Sequence, residues 1–141
     1  MEIRKSEKEA LMSFLDKVFE QQHAHHFVDN QLETCEKTLA FGAWIDEQLA
    51  GGIVGKQQYD TLHISLLGVS DKHQHLGIGS ELLQAIEEQA QQEKVKTITL
   101  TTKAYQALGF YLKHGYEVFG ELEDVPMVGT TKYYLVKRIS R

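Results

Sequence analysis

Leu67-Gly68-Val69-Ser70-Asp71-Lys72-His73-Gln74-His75-Leu76-Gly77-Ile78-Gly79-Ser80 is the stretch on which the fold turns. Before it, Thr61 to Val69 reads as a strand. After it, Leu82, Leu83, Ile86 and Ala90 recur on one helical face, with Glu87, Glu88, Gln91 and Gln92 outside. A strand thus runs through a loop with two glycines straight into an amphipathic helix. Such a loop offers a row of unpaired backbone N–H groups at the positive end of a helix dipole, which is an anion site, and phosphate is the usual anion. Glycine lets the ligand approach those donors.

The phosphate compound is narrowed by what is missing. No lysine follows Gly79, so the loop is not a Walker A loop for ATP or GTP. A dinucleotide fingerprint needs a glycine where Leu82 stands and an early strand–turn–helix unit, and neither condition holds. Gly77-Ile78-Gly79 alone also fits a helix entered through a flexible turn.

Outward from this segment the period of the apolar residues sets the element order. Ser6 with Glu9 reads as a capping box, and Leu11, Phe14, Leu15, Val18 and Phe19 give a first helix ending near Gln22. His23 to Glu36 is polar and ambiguous, with room for a second short helix. Leu39, Phe41, Ala43 and Ile45 alternate as a strand, Asp46-Glu47-Gln48 turns, and Leu49 to Lys56 returns. Gln58-Tyr59-Asp60 is the next turn, so the first three strands form an antiparallel meander. Val95 to Thr101 is a strand, Tyr105 to His114 a short helix closed by Gly115, and Tyr116–Leu122 and Thr131–Ile139 are two final strands. The strand–helix–strand passage in the middle needs a parallel crossover. The fold class is therefore α/β, with a mixed, mostly antiparallel sheet flanked by helices. Phe41, Trp44, Tyr133 and Tyr134 read as sheet packing residues.

Composition bounds the rest. With 141 residues the chain is expected to be one domain, residues 1–141. Its 42% hydrophobic and 25% charged content is that of a globular protein, not a disordered tail. The formal charge of −5 has the wrong sign for a duplex-binding protein, so no nucleic-acid partner is expected. No apolar run reaches the ~18–20 residues of a membrane span. The polar start lacks a signal-peptide apolar region, and Cys35, the single cysteine, forms no intramolecular disulfide. A cytoplasmic location without membrane attachment is the expectation.

Two segments together carry a resemblance. Gln74-His75-Leu76-Gly77-Ile78-Gly79 has the form Gln/Arg-x-x-Gly-x-Gly/Ala, preceded by Leu67-x-Val69 on a strand. Ala107-Leu108-Gly109-Phe110-Tyr111-Leu112-Lys113-His114-Gly115-Tyr116 is similar to Ala-x-x-x-Tyr-x-x-x-Gly-Phe/Tyr. These resemble motifs A and B of the GNAT superfamily of acetyl-CoA-dependent N-acetyltransferases, over roughly residues 39 to 139, and the Phe110–Asp124 stretch is similar to small bacterial members whose substrates are largely unassigned.

The resemblance implies a central parallel strand pair that splays apart at the cofactor site. It implies that acetyl-CoA, as co-substrate, lays its pyrophosphate on the backbone N–H groups of Gln74, His75, Leu76, Gly77, Ile78, Gly79 and Ser80. Its pantetheine arm would pair like a strand with Leu67, Gly68 and Val69, where Gly68 would ease a bulge. Tyr111 matches the family's tyrosine. It would protonate the departing thiolate, as a phenol near ~10 can for a thiol near ~8.5; the bland reading is that Tyr111 packs the helix onto the sheet.

Many relatives place a glutamate six residues before the Val69 position, where this chain has His63. In an alternating strand His63, Ser65 and Leu67 share one face, so His63 either reaches the cleft as the base or stays a half-buried sheet histidine. Tyr105 stands where many relatives carry a cofactor-contacting asparagine; it would shape the cofactor and acceptor pocket or cap the helix. The acceptor would be a small-molecule or protein amine. Homodimers are common in the family, but no feature here fixes one.

Two functions fit the resemblance: an N-acetyltransferase working by direct attack in a ternary complex, or a non-catalytic CoA or acyl-CoA sensor of the same fold. His23-Ala24-His25-His26 suggests metal at first sight. But two histidines at i, i+2 do not share a helical face, and a site wants three or four convergent ligands, so a polar loop bordering the acceptor and no metal is the expectation.

Overall fold

The structure, a computed structural model, describes residues 1–26, 36–103 and 105–139; the side chains of residues 23–26 and 106 lie outside that description. Backbone contacts divide the chain into two compact units, Met1–Glu33 and Thr34–Arg141.

The first unit carries α1, Lys8–His26. It starts one residue later than the capping box requires. Ser6 Oγ donates to the Arg4 carbonyl at 3.1 Å, and the Glu7 carbonyl accepts from Ala10 N–H at 3.1 Å, so Ser6 lies outside the helix instead of capping it. The helix also runs through His23, His25 and His26, where the sequence pattern suggests a loop. Cys35 and the remainder of the ambiguous stretch before Glu36 lie outside the described residues.

The second unit is a six-stranded sheet with two helices. Strands β1 (Glu36–Ile45), β2 (Gln48–Gln58) and β3 (Thr61–Val69) form the expected antiparallel meander. Its first turn uses Asp46 and Glu47, both at positive φ, a two-residue hairpin turn whose twist matches that of the strands. A single 3-10 turn (Asp71–His73) leads to α2 (Ile78–Gln92), β4 (Thr97–Thr102), α3 (Tyr105–Lys113), β5 (Glu117–Glu123) and β6 (Thr131–Arg138). Strand order is β1-β2-β3-β4-β6-β5. Among the described strands only β3 and β4 run parallel, as the crossover through α2 demands.

The core lies between α2 and the sheet. Ile78, Leu82, Leu83, Ile86 and Ala90 make the buried stripe of the helix, against Ile53, Leu62, Ile98, Leu100 and Leu135 from the strands. Gly51 allows the first turn of α2 to close in: a Cβ there would stand 2.9 Å from the Gly68 carbonyl and 3.2 Å from Ile78 Cγ2. Phe41 and Tyr133 pack against this core as expected. Trp44 does not; it is 66% exposed, beside a register shift between Ala43 and Trp44 that interrupts the alternation of β1.

Two irregularities in β3 shape the surface beside α3. Its pairing with β4 ends at Ile64 opposite Leu100, so the parallel pair splays beyond that point, as the resemblance implied. Against β2, Ile64 faces Gly55 while Leu66 faces Val54, which leaves Ser65 as the extra residue of a bulge. The bulge therefore falls at Ser65 and not at Gly68, and it reverses the alternation of the strand.

Candidate active site

The end of β3, the loop after it and α3 enclose a cleft of about 400 Å³. One wall is Leu67, Gly68 and Val69; the floor is His73, Gln74, His75, Gly77, Ile78, Gly79 and Ser80; the other wall is Ala107, Phe110 and Tyr111. The loop is held by its own side chains. Ser70 Oγ and His73 Nδ1 are 2.6 Å apart, and Gln74 Nε2 donates to the Val69 carbonyl at 2.9 Å. Gly77 caps α2 at φ 79°, a left-handed conformation suited to glycine, and offers no side-chain cap.

The first bond of the helix runs from Glu81 N–H to the Gly77 carbonyl at 3.1 Å. The N–H groups of Gly77, Ile78, Gly79 and Ser80 precede it and meet no acceptor among the described residues. Among those residues, no aspartate or glutamate lines the cleft. Four free donors, a helix dipole and a wall without carboxylates suit an anion such as a pyrophosphate.

A second hollow, about 360 Å³, lies in the splay itself, lined by Ile64, Ser65, Leu66 and Leu67 from β3, Leu100, Thr101 and Thr102 from β4, and Lys103, Ala107 and Tyr111. Leu67, Ala107 and Tyr111 line both hollows. Tyr111 is 7% exposed, meeting Phe110 edge to face with centroids 5.1 Å apart. Burial pushes its phenol above the ordinary tyrosine range. It packs the helix, one of the two readings the sequence allowed, and it also fronts the cleft.

His63 stands elsewhere than the alternation predicted. Because of the Ser65 bulge, Leu67 and Val69 face α2 together with Leu62 and Ile64, whereas His63 faces the opposite side with Thr99, its Nδ1 2.9 Å from Thr99 Oγ1. It lines neither hollow, although Thr101, on the same face of β4 as Thr99, lines the second. Partial burial, then the charge of Lys132, pull its imidazole below the ordinary histidine range.

Of the other predicted residues, Leu76 turns to a groove between β1 and α2, and Tyr105 is 80% exposed at the start of α3, off both walls. Sequence reasoning missed His73, Ala107 and Phe110 as cleft residues. It also missed His114, whose Nε2 lies 3.0 Å from Ser80 Oγ. Ala107 and Phe110 lay inside the second motif and could have been read from helical spacing relative to Tyr111. Nothing in the sequence paired His114 with Ser80. Among the described residues no group of three histidine, cysteine, aspartate or glutamate side chains converges as a metal site.

The profile of the acetyltransferase (GNAT) family matches residues 8–116. The chain belongs to the acetyltransferase (GNAT) family. A blasticidin-S acetyltransferase from Streptomyces morookaense is 37% identical to this GNAT chain over 93 residues, 65% of the chain and 68% of that protein. The crystal structure of an acetyltransferase from Bacillus cereus superposes with a TM-score of 0.85 at 28% identity, covering 99% of this chain and 98% of that one. A more distant likeness in fold, TM-score 0.69 at 17% identity over 100% of this chain and 99% of the other, is to an aminoglycoside 6'-N-acetyltransferase complexed with coenzyme A. This GNAT chain is an acetyl-CoA-dependent acetyltransferase.

Proposed function

We infer that this acetyltransferase moves an acetyl group from acetyl-CoA to a primary amine of a small molecule by direct attack in a ternary complex. The observation that carries this reading is the position of Tyr111, common to the anion cleft and the hollow in the splay. Acetyl-CoA supplies the activated acetyl group as a thioester.

The N–H groups of the Gln74–Ser80 loop hold its pyrophosphate, and the unpaired edge of Leu67, Gly68 and Val69 orders the pantetheine arm. The amine enters by the second hollow, and its nitrogen attacks the thioester carbonyl as the carbon–sulfur bond breaks. The Tyr111 hydroxyl gives its proton to the departing sulfur and recovers one from solvent, and burial keeps the phenol protonated between turnovers. The proton lost by the amine passes through solvent to His63, which stays neutral, and so able to accept it, at physiological pH. A small-molecule acceptor is supported by the relative named for blasticidin S.

The test is CoA and acetyl-CoA binding by calorimetry, followed by thiol release with a panel of small amines and lysine peptides. Amine-dependent thiol release confirms the reading. Release with peptides alone moves the acceptor to proteins, and binding with no release in any amine overturns it.

A further inference from the structure

Ser80 is the third residue of α2, and its hydroxyl lies between the cleft and His114. His114 follows the last turn of α3. Its Nδ1 is 3.0 Å from the Phe110 carbonyl oxygen, and its Nε2 is 3.0 Å from Ser80 Oγ. A carbonyl only accepts, so Nδ1 carries a proton in every state of this arrangement. The ring cannot swing to escape the constraint easily, because it lies against Phe110 with centroids 4.6 Å apart.

The tautomer then dictates the serine. With the imidazole neutral, Nε2 is bare, the Ser80 O–H points at it, and only lone pairs of the hydroxyl face the cleft. With the imidazole protonated, Nε2–H donates to Ser80 Oγ and the hydroxyl proton is released toward the cleft. An anionic oxygen beside Ser80 is repelled by the first arrangement and bonded by the second.

We propose that Ser80 and His114 form a two-position relay in which His114 takes up a proton when a pyrophosphate occupies the cleft. The relay rests on the reading of this cleft as the CoA site, and His114 acts as a positioning residue through Ser80. The charged groups of the surrounding elements include Glu81, Glu87, Glu88, Lys113 and Glu117. Glu87 of α2 accepts from Tyr116 and from Lys137 of β6, and Glu88 accepts from Gln84. Glu81 lines the groove on the β1 side of α2, Lys113 ends the helix of His114 itself, and Glu117 begins β5. His73 and His75 line the cleft itself.

Calorimetry of CoA binding near pH ~7, in two buffers of different ionisation heat, counts the protons taken up. Serine does not titrate, so its removal separates the relay from a plain charge effect of the ligand on any histidine. Wild type takes up more protons than Ser80→Ala. His114→Gln shows the same deficit, and the double variant shows no more than either single one. Ser80→Ala also weakens CoA by about tenfold, the size of a lost hydrogen bond to an anion. His75→Gln keeps the Ser80-dependent share. Unliganded melting curves of all variants establish that each is folded. A proton count unchanged by Ser80→Ala overturns the relay while the cleft remains the CoA site. Absence of CoA binding in wild type overturns the cleft reading, and the relay with it.

Discussion

Tyr111 and Tyr116 meet edge to face, with ring centroids 5.7 Å apart and planes at 71°. The second ring is anchored: its hydroxyl donates to Glu87 Oε2 at 2.8 Å, and Lys137 Nζ donates to Glu87 Oε1 at 3.0 Å. The N–H of Tyr116 returns to the Tyr111 carbonyl at 3.1 Å, and Gly115, at φ 89°, sends its N–H to Leu112 at 3.2 Å. This pattern is the Schellman end of α3. The proposed acid is therefore fixed through both its ring and its backbone.

Tyr111→Phe keeps the packing and removes the proton. kcat falls by about 10²–10⁴-fold, whereas the Kd for CoA moves by less than about twofold. Because burial raises the phenol, the alkaline limb of kcat lies above pH ~10. Steady-state rates across pH, together with calorimetry, check both statements.

The folded pKa of His63 lies below its unfolded value, so the sign is that of a neutral group resisting protonation. Its share of stability is complete above pH ~6.5 and is lost as pH falls below that value. Melting temperatures of His63→Gln fall less than those of wild type between neutral pH and pH ~5. If His63 accepts the amine proton, the acid limb of kcat/KM also disappears in this variant, and in Lys132→Met it moves to higher pH. A limb unchanged in both variants assigns the proton to solvent alone.

Gly77→Ala tests the loop. A Cβ there meets nothing within 4 Å, so the cost comes from the backbone at φ 79° and amounts to about 1 kcal/mol or more. Distortion of the N–H row weakens CoA by about tenfold or more, one lost hydrogen bond to an anion being the reference. Binding and melting measured on the same preparation separate the two effects.

Glu87→Ala strands Lys137 and the Tyr116 hydroxyl in half-buried surroundings and destabilises by about 2–4 kcal/mol. Tyr116→Phe removes one hydrogen bond and costs about 1 kcal/mol. Chemical denaturation of the two single variants and the double variant yields the coupling between them.

The order of elements was legible because each long apolar pattern kept one period: β3 was placed at Thr61–Val69 to the residue, and α2 at its buried stripe. The loop before α2 was legible because glycine spacing before a helix has a backbone meaning independent of side chains. What could not be read was anything made by two distant segments meeting. The Ser65 bulge depends on how β3 registers against β2, and no single-strand pattern encodes it, so simple alternation gives His63 the wrong face. Trp44 looked like core because alternation was extended through an irregular strand end. The pairing of Ser80 with His114 spans 34 residues and has no local signal.

The extra residue at Ser65 gives β3 two independent faces. Odd-numbered positions before it answer to one side of the sheet and those after it to the other, so one strand presents His63 and Leu67 to opposite faces. Substitutions at His63 or Thr99 therefore fall on the face away from α2 and leave the side that carries Leu67 and Val69 undisturbed.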